Sequence, residues 1–217
     1  MVKLESMEEF FTSRVKIYDD HMLTEVEGCK EGYIHLANLL PENINTLLDL
    51  GCGTGLELET IFNRFPKLNV TGVDMTPAML EYLKKKYYNK DIVLKQGNYL
   101  TLDLGFQEYD AVISFQTLHH LTHEEKKKIY KKIYDACKPG GCYIECDYMV
   151  LTQEEEDILY RENQKLRAEQ DINIDEICHF DTPCTVENQL QFLKNAGFLE
   201  VNMVWRQENT TMIVGRK

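Results

Sequence analysis

The chain is short of positive charge. Its 217 residues contain 24 lysines and arginines against 36 aspartates and glutamates, which gives a formal net charge of −12. A surface of this sign repels the phosphate backbones of nucleic acids at long range. We therefore expect no nucleic acid among its partners.

Long hydrophobic runs are missing as well. No stretch approaches the roughly 20 apolar residues that a membrane-crossing helix requires. The first twenty residues lack the apolar run of a signal peptide, and they contain the acids Glu5, Glu8, Glu9, Asp19 and Asp20. The sequence therefore predicts a cytoplasmic protein with no membrane partner.

The chain has no C-x-x-C pair, the cysteine spacing typical of structural zinc sites. Several of its seven cysteines fall in apolar runs, where a thiol behaves as a small hydrophobe. These residues are Cys29, Cys52, Cys137, Cys142, Cys146, Cys178 and Cys184. We expect them to be reduced core residues, and we expect no metal.

No internal repeat, low-complexity tract or flexible linker divides the chain. With 217 residues, of which 43% are hydrophobic, the sequence can bury one substantial core and is short for two. We predict a single domain over residues 1–217. It should include an N-terminal helical segment at 1–40 and a lid-like segment at 151–180, and its oligomeric state is not predicted.

Residues 151–180 form the acidic segment, which differs in composition from the rest of the chain. It contains nine acidic residues, Asp175 among them, against three basic ones, for a net charge of −6. Its apolar residues are sparse, so we expect a helix and a loop that lie over the domain and outside its core. A roof of this charge favours a small ligand over a polyanion.

Short apolar runs alternate with longer amphipathic ones from residue 45 onward. The runs at 46–50, 70–73, 92–95 and 111–114 are predicted to be buried strands, with helical patterns between most of them. This alternation predicts an α/β fold with a doubly wound, mainly parallel sheet and helices on both faces.

Helix ends are marked by specific residues. Thr76 precedes a proline, which suits the first helical position. Thr122 and Thr152 are each followed three residues later by glutamate, the pattern of a capping box. Gly197 closes the last helical pattern as a C-cap.

The segment from Leu47 to Gly55 is an apolar strand that runs into three alternating glycines. Glycines at Gly51 and Gly53 let the backbone turn sharply at the end of the strand and let a ligand approach the main chain. A dinucleotide motif would need a further glycine where this chain has Leu56. The next strand ends at Asp74, whose carboxylate can accept hydrogen bonds from both hydroxyls of a ribose.

These motifs, together with the segments 95–99, 109–114 and 138–141, resemble those of the class I S-adenosylmethionine-dependent methyltransferases in their order along the chain. The resemblance runs from about residue 45 to the C-terminus. It implies a Rossmann-like fold with a seven-stranded sheet and an antiparallel C-terminal hairpin. It also implies S-adenosylmethionine as the cofactor.

The resemblance implies a role for several residues. Gly51 and Gly53 would border the methionine part of the cofactor, and Asp74 would hold its ribose. Met75 would pack on the adenine, and Gln116 would offer its backbone near the amino group.

Two further regions of the cofactor site follow from the resemblance. Asn98 stands where relatives commonly have aspartate, and its side-chain oxygen can still accept a bond from the adenine amine. Tyr99 is placed in the site beside it. Arg14 would pair with the methionine carboxylate and Tyr18 would cap the site, although residues 14–21 fit a plain surface helix equally well.

Methyl transfer is a direct displacement, so the protein has chiefly to align the acceptor and exclude water. We therefore assign no catalytic residue. His119, Asp147 and Tyr148 are expected to contact a small-molecule acceptor. His119 follows the fourth strand, and Asp147 and Tyr148 close the fifth, so all three should lie near the rim of Gly51. For His119, packing between its loop and the next helix is the competing interpretation.

Three alternatives stay open at this point. A nicotinamide-dependent oxidoreductase would share the parallel sheet and the acid after the second strand. A binding protein would keep the cofactor site without catalysis. An RNA or protein methyltransferase would keep the chemistry and change the acceptor.

Overall fold

A computed structural model describes residues 3–173 and 176–217, so Asp175 of the acidic segment lies outside the described residues. The described chain forms one seven-stranded sheet in the order β3-β2-β1-β4-β5-β7-β6. The strands are β1 (Thr46–Leu50), β2 (Asn69–Asp74), β3 (Ile92–Gln96), β4 (Tyr109–Phe115), β5 (Cys137–Tyr148), β6 (Leu199–Gln207) and β7 (Thr210–Arg216).

The first five strands run parallel, and β7 is antiparallel to both β5 and β6. The predicted parallel sheet and C-terminal hairpin are thus confirmed. Each of the four strands predicted from apolar runs is present. β1 has the predicted bounds, while β2, β3 and β4 extend one to two residues beyond theirs.

Helices pack on both faces of the sheet. They are α1 (Met7–Arg14), α2 (Tyr18–Thr24), α3 (Cys29–Leu39), α4 (Leu56–Arg64), α5 (Pro77–Lys86), α6 (His123–Ala136), α7 (Gln153–Glu169) and α8 (Val186–Ala196). Leu47 and Leu48 of β1 are both fully buried but belong to separate core clusters. Successive strand residues point to opposite faces, so this burial explains why the strand is apolar throughout.

The predicted helix ends occur where their chemistry indicated. Both capping boxes form, since Thr122 exchanges hydrogen bonds with Glu125 and Thr152 does so with Glu155. Gly197 ends α8 with a φ of 115°. Thr76 precedes the proline at the first position of α5, but its side chain makes no cap hydrogen bond there.

All seven cysteines lie in the described ranges, and all are buried and free of disulfides. Among the described residues, no helix has the length and apolar character to cross a membrane.

The N-terminal residues contact the loop that follows α7. Met7 N donates to Ile177 O at 3.0 Å and His179 N donates to Glu5 O at 2.9 Å. This clasp joins the two segments over the carboxyl ends of the parallel strands. Together with α1 and α2 it forms the roof of the cavities described below.

The helix of the acidic segment, α7, is anchored away from that roof. Glu156 is fully buried and accepts from Thr185 N at 2.5 Å, at the start of α8. Tyr160 donates to Leu121 O at 3.1 Å, just before α6. The sequence predicted a helix laid over the domain and outside its core, but it did not indicate which neighbours that helix would meet.

Candidate functional site

The glycine turn joins β1 to α4 with left-handed backbone at all three glycines. The φ angles are 68° at Gly51, 45° at Gly53 and 71° at Gly55. Gly51 N donates to Val73 O at 2.7 Å, which ties the turn to the end of β2. A Cβ on Gly51 would collide with Thr117, so both the conformation and the space require glycine there.

Gly53 faces open space. A Cβ built on it would meet only Gly51 O and Tyr18 Cε1, both at 3.9 Å. The turn therefore exposes its main chain to a ligand, as the sequence predicted.

Asp74 at the end of β2 is held by two main-chain amides. Its Oδ2 accepts from Gly53 N at 2.9 Å and its Oδ1 accepts from Thr76 N at 2.8 Å. Burial raises the pKa of Asp74, although these two hydrogen bonds act in the opposite direction. Each oxygen keeps a further lone pair, so the side chain can still accept two bonds from a ligand.

The glycine-turn cavity lies above these residues. Eight of the nine residues predicted for the cofactor line it, namely Tyr18, Gly51, Gly53, Asp74, Met75, Asn98, Tyr99 and Gln116. The ninth, Arg14, lines the neighbouring cavity, where its guanidinium pairs with Glu5 at 3.0 Å.

Asn98 and Tyr99 form the far wall of the glycine-turn cavity. The Asn98 side-chain oxygen accepts from Leu100 N at 2.8 Å, which uses one of its two lone pairs. The Tyr99 hydroxyl donates to Thr117 O at 3.3 Å. Burial raises the pKa of Tyr99, so the phenol is neutral.

Gln116, just after β4, has a φ of 49°, which is uncommon for a residue with a side chain. Its main-chain N–H donates to Cys146 O at 2.8 Å, and its side-chain amide donates to Thr210 Oγ1 at 3.1 Å. Such backbone conformations persist only where surrounding contacts fix them, and they cluster at ligand sites. Here they turn Gln116 toward both cavities.

A second space, the histidine cavity, adjoins the first and has a volume of about 730 Å³. Its walls come from α1 and α2, the turn after β4, the end of β5, the loop 179–181 and the β6–β7 hairpin. Four residues line both cavities, namely Phe11, Tyr18, Gln116 and His120. The two spaces are therefore adjacent.

His119 and Asp147 form a buried pair at the floor of the histidine cavity. The carboxylate of Asp147 lies 2.5 Å from His119 Nδ1, and it also accepts from Leu118 N and Tyr148 N, both at 2.8 Å. Burial lowers the pKa of His119, but the charge and hydrogen bond of Asp147 outweigh it, so the pKa is raised.

Asp181 lies between the two adjacent histidines. Its Oδ1 is 3.5 Å from His119 Nε2 and 3.3 Å from His120 Nδ1. Burial lowers the pKa of His120, and the neighbouring His119 lowers it further. Burial also lowers the pKa of His179, to about 4, and its ring stacks on Phe10 with centroids 3.4 Å apart.

The three predicted acceptor contacts differ in their placement. His119 and Tyr148 line the histidine cavity. Asp147 is 1% exposed and lies behind His119, outside the lining of either cavity. It reaches a ligand only through the imidazole that it orients.

The acidic segment meets the two cavities through its loop. Ile177 lines the glycine-turn cavity and His179 lines the histidine cavity, whereas no described residue of α7 lines either. The roof expected from this segment is provided mainly by α1 and α2. Sequence analysis therefore missed Phe11 in the roof and Asp181 in the cavity, because no local pattern places them beside the glycine turn. The position of His120 after the fourth strand indicated that it lies near the cofactor site, but only His119 was chosen as an acceptor contact.

Known proteins resemble this chain in sequence and in fold. The model of a methyltransferase domain family matches residues 47–141. The chain is 22% identical to a carboxy-S-adenosyl-L-methionine synthase of Nautilia profundicola, over 99% of this chain and 96% of that protein. It is 28% identical to a malonyl-[acyl-carrier protein] O-methyltransferase of Priestia megaterium, over 66% of this chain and 52% of that protein.

Human N-acetylserotonin methyltransferase, solved in complex with S-adenosylmethionine, shares the fold with a TM-score of 0.68 and 18% identity. The match covers 97% of this chain and 56% of that one. This chain therefore spans about half the length of two of these three relatives.

The domain match, the relatives and the shared fold support a class I S-adenosylmethionine-dependent methyltransferase. The same matches support an enzyme whose cofactor is S-adenosylmethionine, which favours this assignment over the nicotinamide-dependent alternative. The residues present fit that cofactor, because Gly53 faces open space and both Asp74 oxygens keep a free lone pair.

Proposed function

We propose that this methyltransferase moves the methyl group of S-adenosylmethionine to a small-molecule acceptor by direct displacement. The observation that carries the proposal is the histidine cavity, which adjoins the glycine-turn cavity through Phe11, Tyr18, Gln116 and His120. Its volume of about 730 Å³ falls within the range of small-molecule sites.

The assignment of the cofactor to the glycine-turn cavity is part of this proposal. Asp74 would hold the ribose, Met75 would pack on the adenine and Asn98 would accept from its amine. The main chain at Gly51 and Gly53 would border the methionine. S-adenosylmethionine supplies an electrophilic methyl group on its sulfonium, so the task of these residues is to orient it and to exclude water.

The acceptor would then lie in the histidine cavity, with His119 and Tyr148 as its polar contacts. Tyr18 and Phe11 stand at the junction of the two cavities and would shield the transfer from solvent. The roof of α1, α2 and the loop after α7 encloses a small ligand better than an extended polymer. The net charge of −12 also disfavours RNA.

A screen of pooled small metabolites, read out as S-adenosylhomocysteine formation, tests the proposal. Tyr148→Phe should reduce turnover of the acceptor that is found and leave cofactor affinity unchanged. Tyr88→Phe is the matched control, because Tyr88 is 85% exposed. Turnover only with transfer RNA or with a protein would contradict the proposal.

A second candidate is carboxylation of the cofactor itself. It is favoured by the end-to-end match to a carboxy-S-adenosyl-L-methionine synthase, which covers 99% of this chain. Mass spectrometry of the cofactor product separates the two reactions. Methyl transfer yields S-adenosylhomocysteine. The alternative needs a co-substrate that gives up a carboxyl group, and it yields a cofactor on which that carboxyl group has replaced a proton of the sulfonium methyl.

A further inference from the structure

The histidine cavity contains a cluster of metal-ligand type that the methyl transfer described above does not require. His119, His120 and Asp181 each offer one ligand atom, and the three atoms lie within 4.8 Å of one another. All three residues line the cavity. Two imidazoles and one carboxylate with an open side are a donor set that first-row divalent metals bind.

Two of the three distances between the ligand atoms match those of a metal centre. Asp181 Oδ1 lies 3.5 Å from His119 Nε2 and 3.3 Å from His120 Nδ1. In a tetrahedral site with metal–ligand bonds of 2.0 to 2.1 Å, neighbouring ligand atoms are about 3.4 Å apart. Asp181 Oδ1 therefore lies at ligand spacing from both imidazole nitrogens, and all three atoms lie within 4.8 Å of one another.

An independent observation is the buried carboxylate behind His119. Asp147 Oδ1 lies 2.5 Å from His119 Nδ1, which directs Nε2 toward Asp181 and the cavity. A metal-ligating histidine almost always has its other ring nitrogen on a carboxylate or carbonyl in this way. Asp147 is too buried to touch a ligand itself. Its role is then to orient the imidazole that binds the metal.

The position of Asp181 is also fixed by the fold. The next residue, Thr182, donates through its amide to His119 O at 2.7 Å and through its hydroxyl to His119 O and Leu121 O. The loop that supplies the carboxylate is therefore bound to the same turn that supplies the imidazoles. Such preorganisation is what a metal site needs.

His120 requires one tautomer for this role. Its Nδ1 lies 3.4 Å from Phe180 O, and that nitrogen must present a lone pair to bind a metal. The proton is then on Nε2. The Phe180 carbonyl is at the long end of hydrogen-bond distance, so little is lost when the nitrogen turns to an ion.

We propose that His119 Nε2, His120 Nδ1 and Asp181 Oδ1 bind a divalent first-row transition-metal ion whose open positions face the acceptor. The proposal rests on the proposed function, because it assigns the acceptor cavity a substrate class. A single carboxylate ligand leaves positive charge on the ion. The acceptor is then an oxygen donor, such as a carboxylate or hydroxyl compound, and His119 contacts it through the ion.

Metal binding is measured without any acceptor. Full-length protein is stripped with a chelator and titrated with Zn²⁺ by calorimetry, and with Co²⁺ by visible spectroscopy. One equivalent should bind. Asp181→Asn and His119→Gln should each weaken binding by at least about tenfold, whereas His35→Gln, a histidine that packs on Trp205, should leave it unchanged.

The described chain holds a second cluster of metal-ligand type, formed by His123, Glu156 and Cys184. Cys184→Ser separates the two clusters. If that substitution abolishes binding while Asp181→Asn does not, the proposal is overturned. Absence of stoichiometric binding by the native protein also overturns it.

The metal proposal and the proposed function fail in different experiments. Full acceptor turnover by chelator-stripped enzyme with no bound metal overturns the metal proposal and leaves the methyl transfer standing. Stoichiometric metal binding that Asp181→Asn removes supports the metal proposal even if S-adenosylhomocysteine never forms.

Discussion

The carboxylate of Asp147 lies 2.5 Å from Nδ1 of His119, and both side chains are buried beneath the histidine cavity. The carboxylate fixes which nitrogen of the imidazole carries a proton and which way the ring faces. Any acceptor chemistry at His119 therefore depends on a residue that no acceptor touches.

We expect Asp147→Asn to lower kcat/KM for the acceptor by about 10- to 100-fold, because the amide holds the imidazole less firmly. Affinity for S-adenosylmethionine should stay the same, since Asp147 lines neither cavity. Steady-state kinetics and calorimetry measure the two effects. Asp157→Asn on the exposed side of α7 is the control, and equal kcat/KM in both variants would contradict the prediction.

S-adenosylmethionine and S-adenosylhomocysteine should raise the thermal midpoint of the protein, whereas NADH should not. A ligand that binds only the folded state stabilises it by about 2.7 kcal/mol at a hundredfold excess over its Kd. Thermal melts with each ligand check this. A shift with NADH and none with either adenosyl compound would speak against the glycine-turn cavity as the cofactor site.

Asp74→Ala should weaken cofactor binding by roughly 10- to 100-fold, because two hydrogen bonds to the charged carboxylate are lost. The substitution also removes the bonds to Gly53 N and Thr76 N. Asp74→Asn is therefore measured beside it, since the amide oxygen can keep one of those bonds. Calorimetric affinity equal to that of the native protein would remove Asp74 from the site.

Asn98→Asp should leave cofactor affinity unchanged or tighten it slightly. A carboxylate accepts from Leu100 N as the amide oxygen does, and it accepts the adenine amine bond more strongly. Calorimetric titration of the native protein and of Asn98→Asp with S-adenosylmethionine measures the two affinities. A loss of more than about tenfold would show that Asn98 donates to something in the bound state.

The ion pair between His123 and Glu156, 2.7 Å apart, should make stability depend on pH. Hydrogen bonds to Cys184 and Glu156 raise the pKa of His123 from 6.5 to about 9. Burial acts to raise the pKa of Glu156, but its hydrogen bonds, first that to His123, lower it from 4.5 to about 2.

The direction in which stability changes with pH follows from these pKa shifts. The His123 contribution is complete below its unfolded pKa and is lost as the pH rises through about 9. The Glu156 contribution is complete above its unfolded pKa and is lost as the pH falls through about 2. His123→Gln should therefore lower the thermal midpoint at about pH 6 and have little effect at about pH 10. An equal drop in the thermal midpoint at both pH values would show that loss of the ion pair is not its cause.

The strands and the glycine turn were predictable because their signals are local. A parallel strand buried on both faces must be apolar, which located β1 to within a residue. The turn at Gly51 needs glycine for its backbone and its space together, so the residue type itself indicated the geometry. Helix caps such as Thr122 are local in the same sense.

The walls of the histidine cavity depend on contacts between distant parts of the chain. Asp147 and Tyr148 are adjacent at the end of β5, and the sequence indicated the rim but not which side chain faces the cavity. The roof depends on hydrogen bonds such as Met7 to Ile177, which no pattern in either segment encodes. For the same reason the sequence analysis predicted that the acidic segment forms the roof, because its composition stood out, whereas α1 and α2 form most of it.

The clasp between residues 5–7 and 177–179 lies wholly outside the stretch 47–141 that the methyltransferase domain model matches. The chain therefore encodes the proposed cofactor platform and its roof in separate stretches. Mutations that reshape the roof can accumulate without disturbing the glycine turn or Asp74. Evolution can in this way give one platform a new acceptor by replacing the N-terminal helices, and a chimaera made at residue 40 should acquire the acceptor preference of the protein that donates its roof.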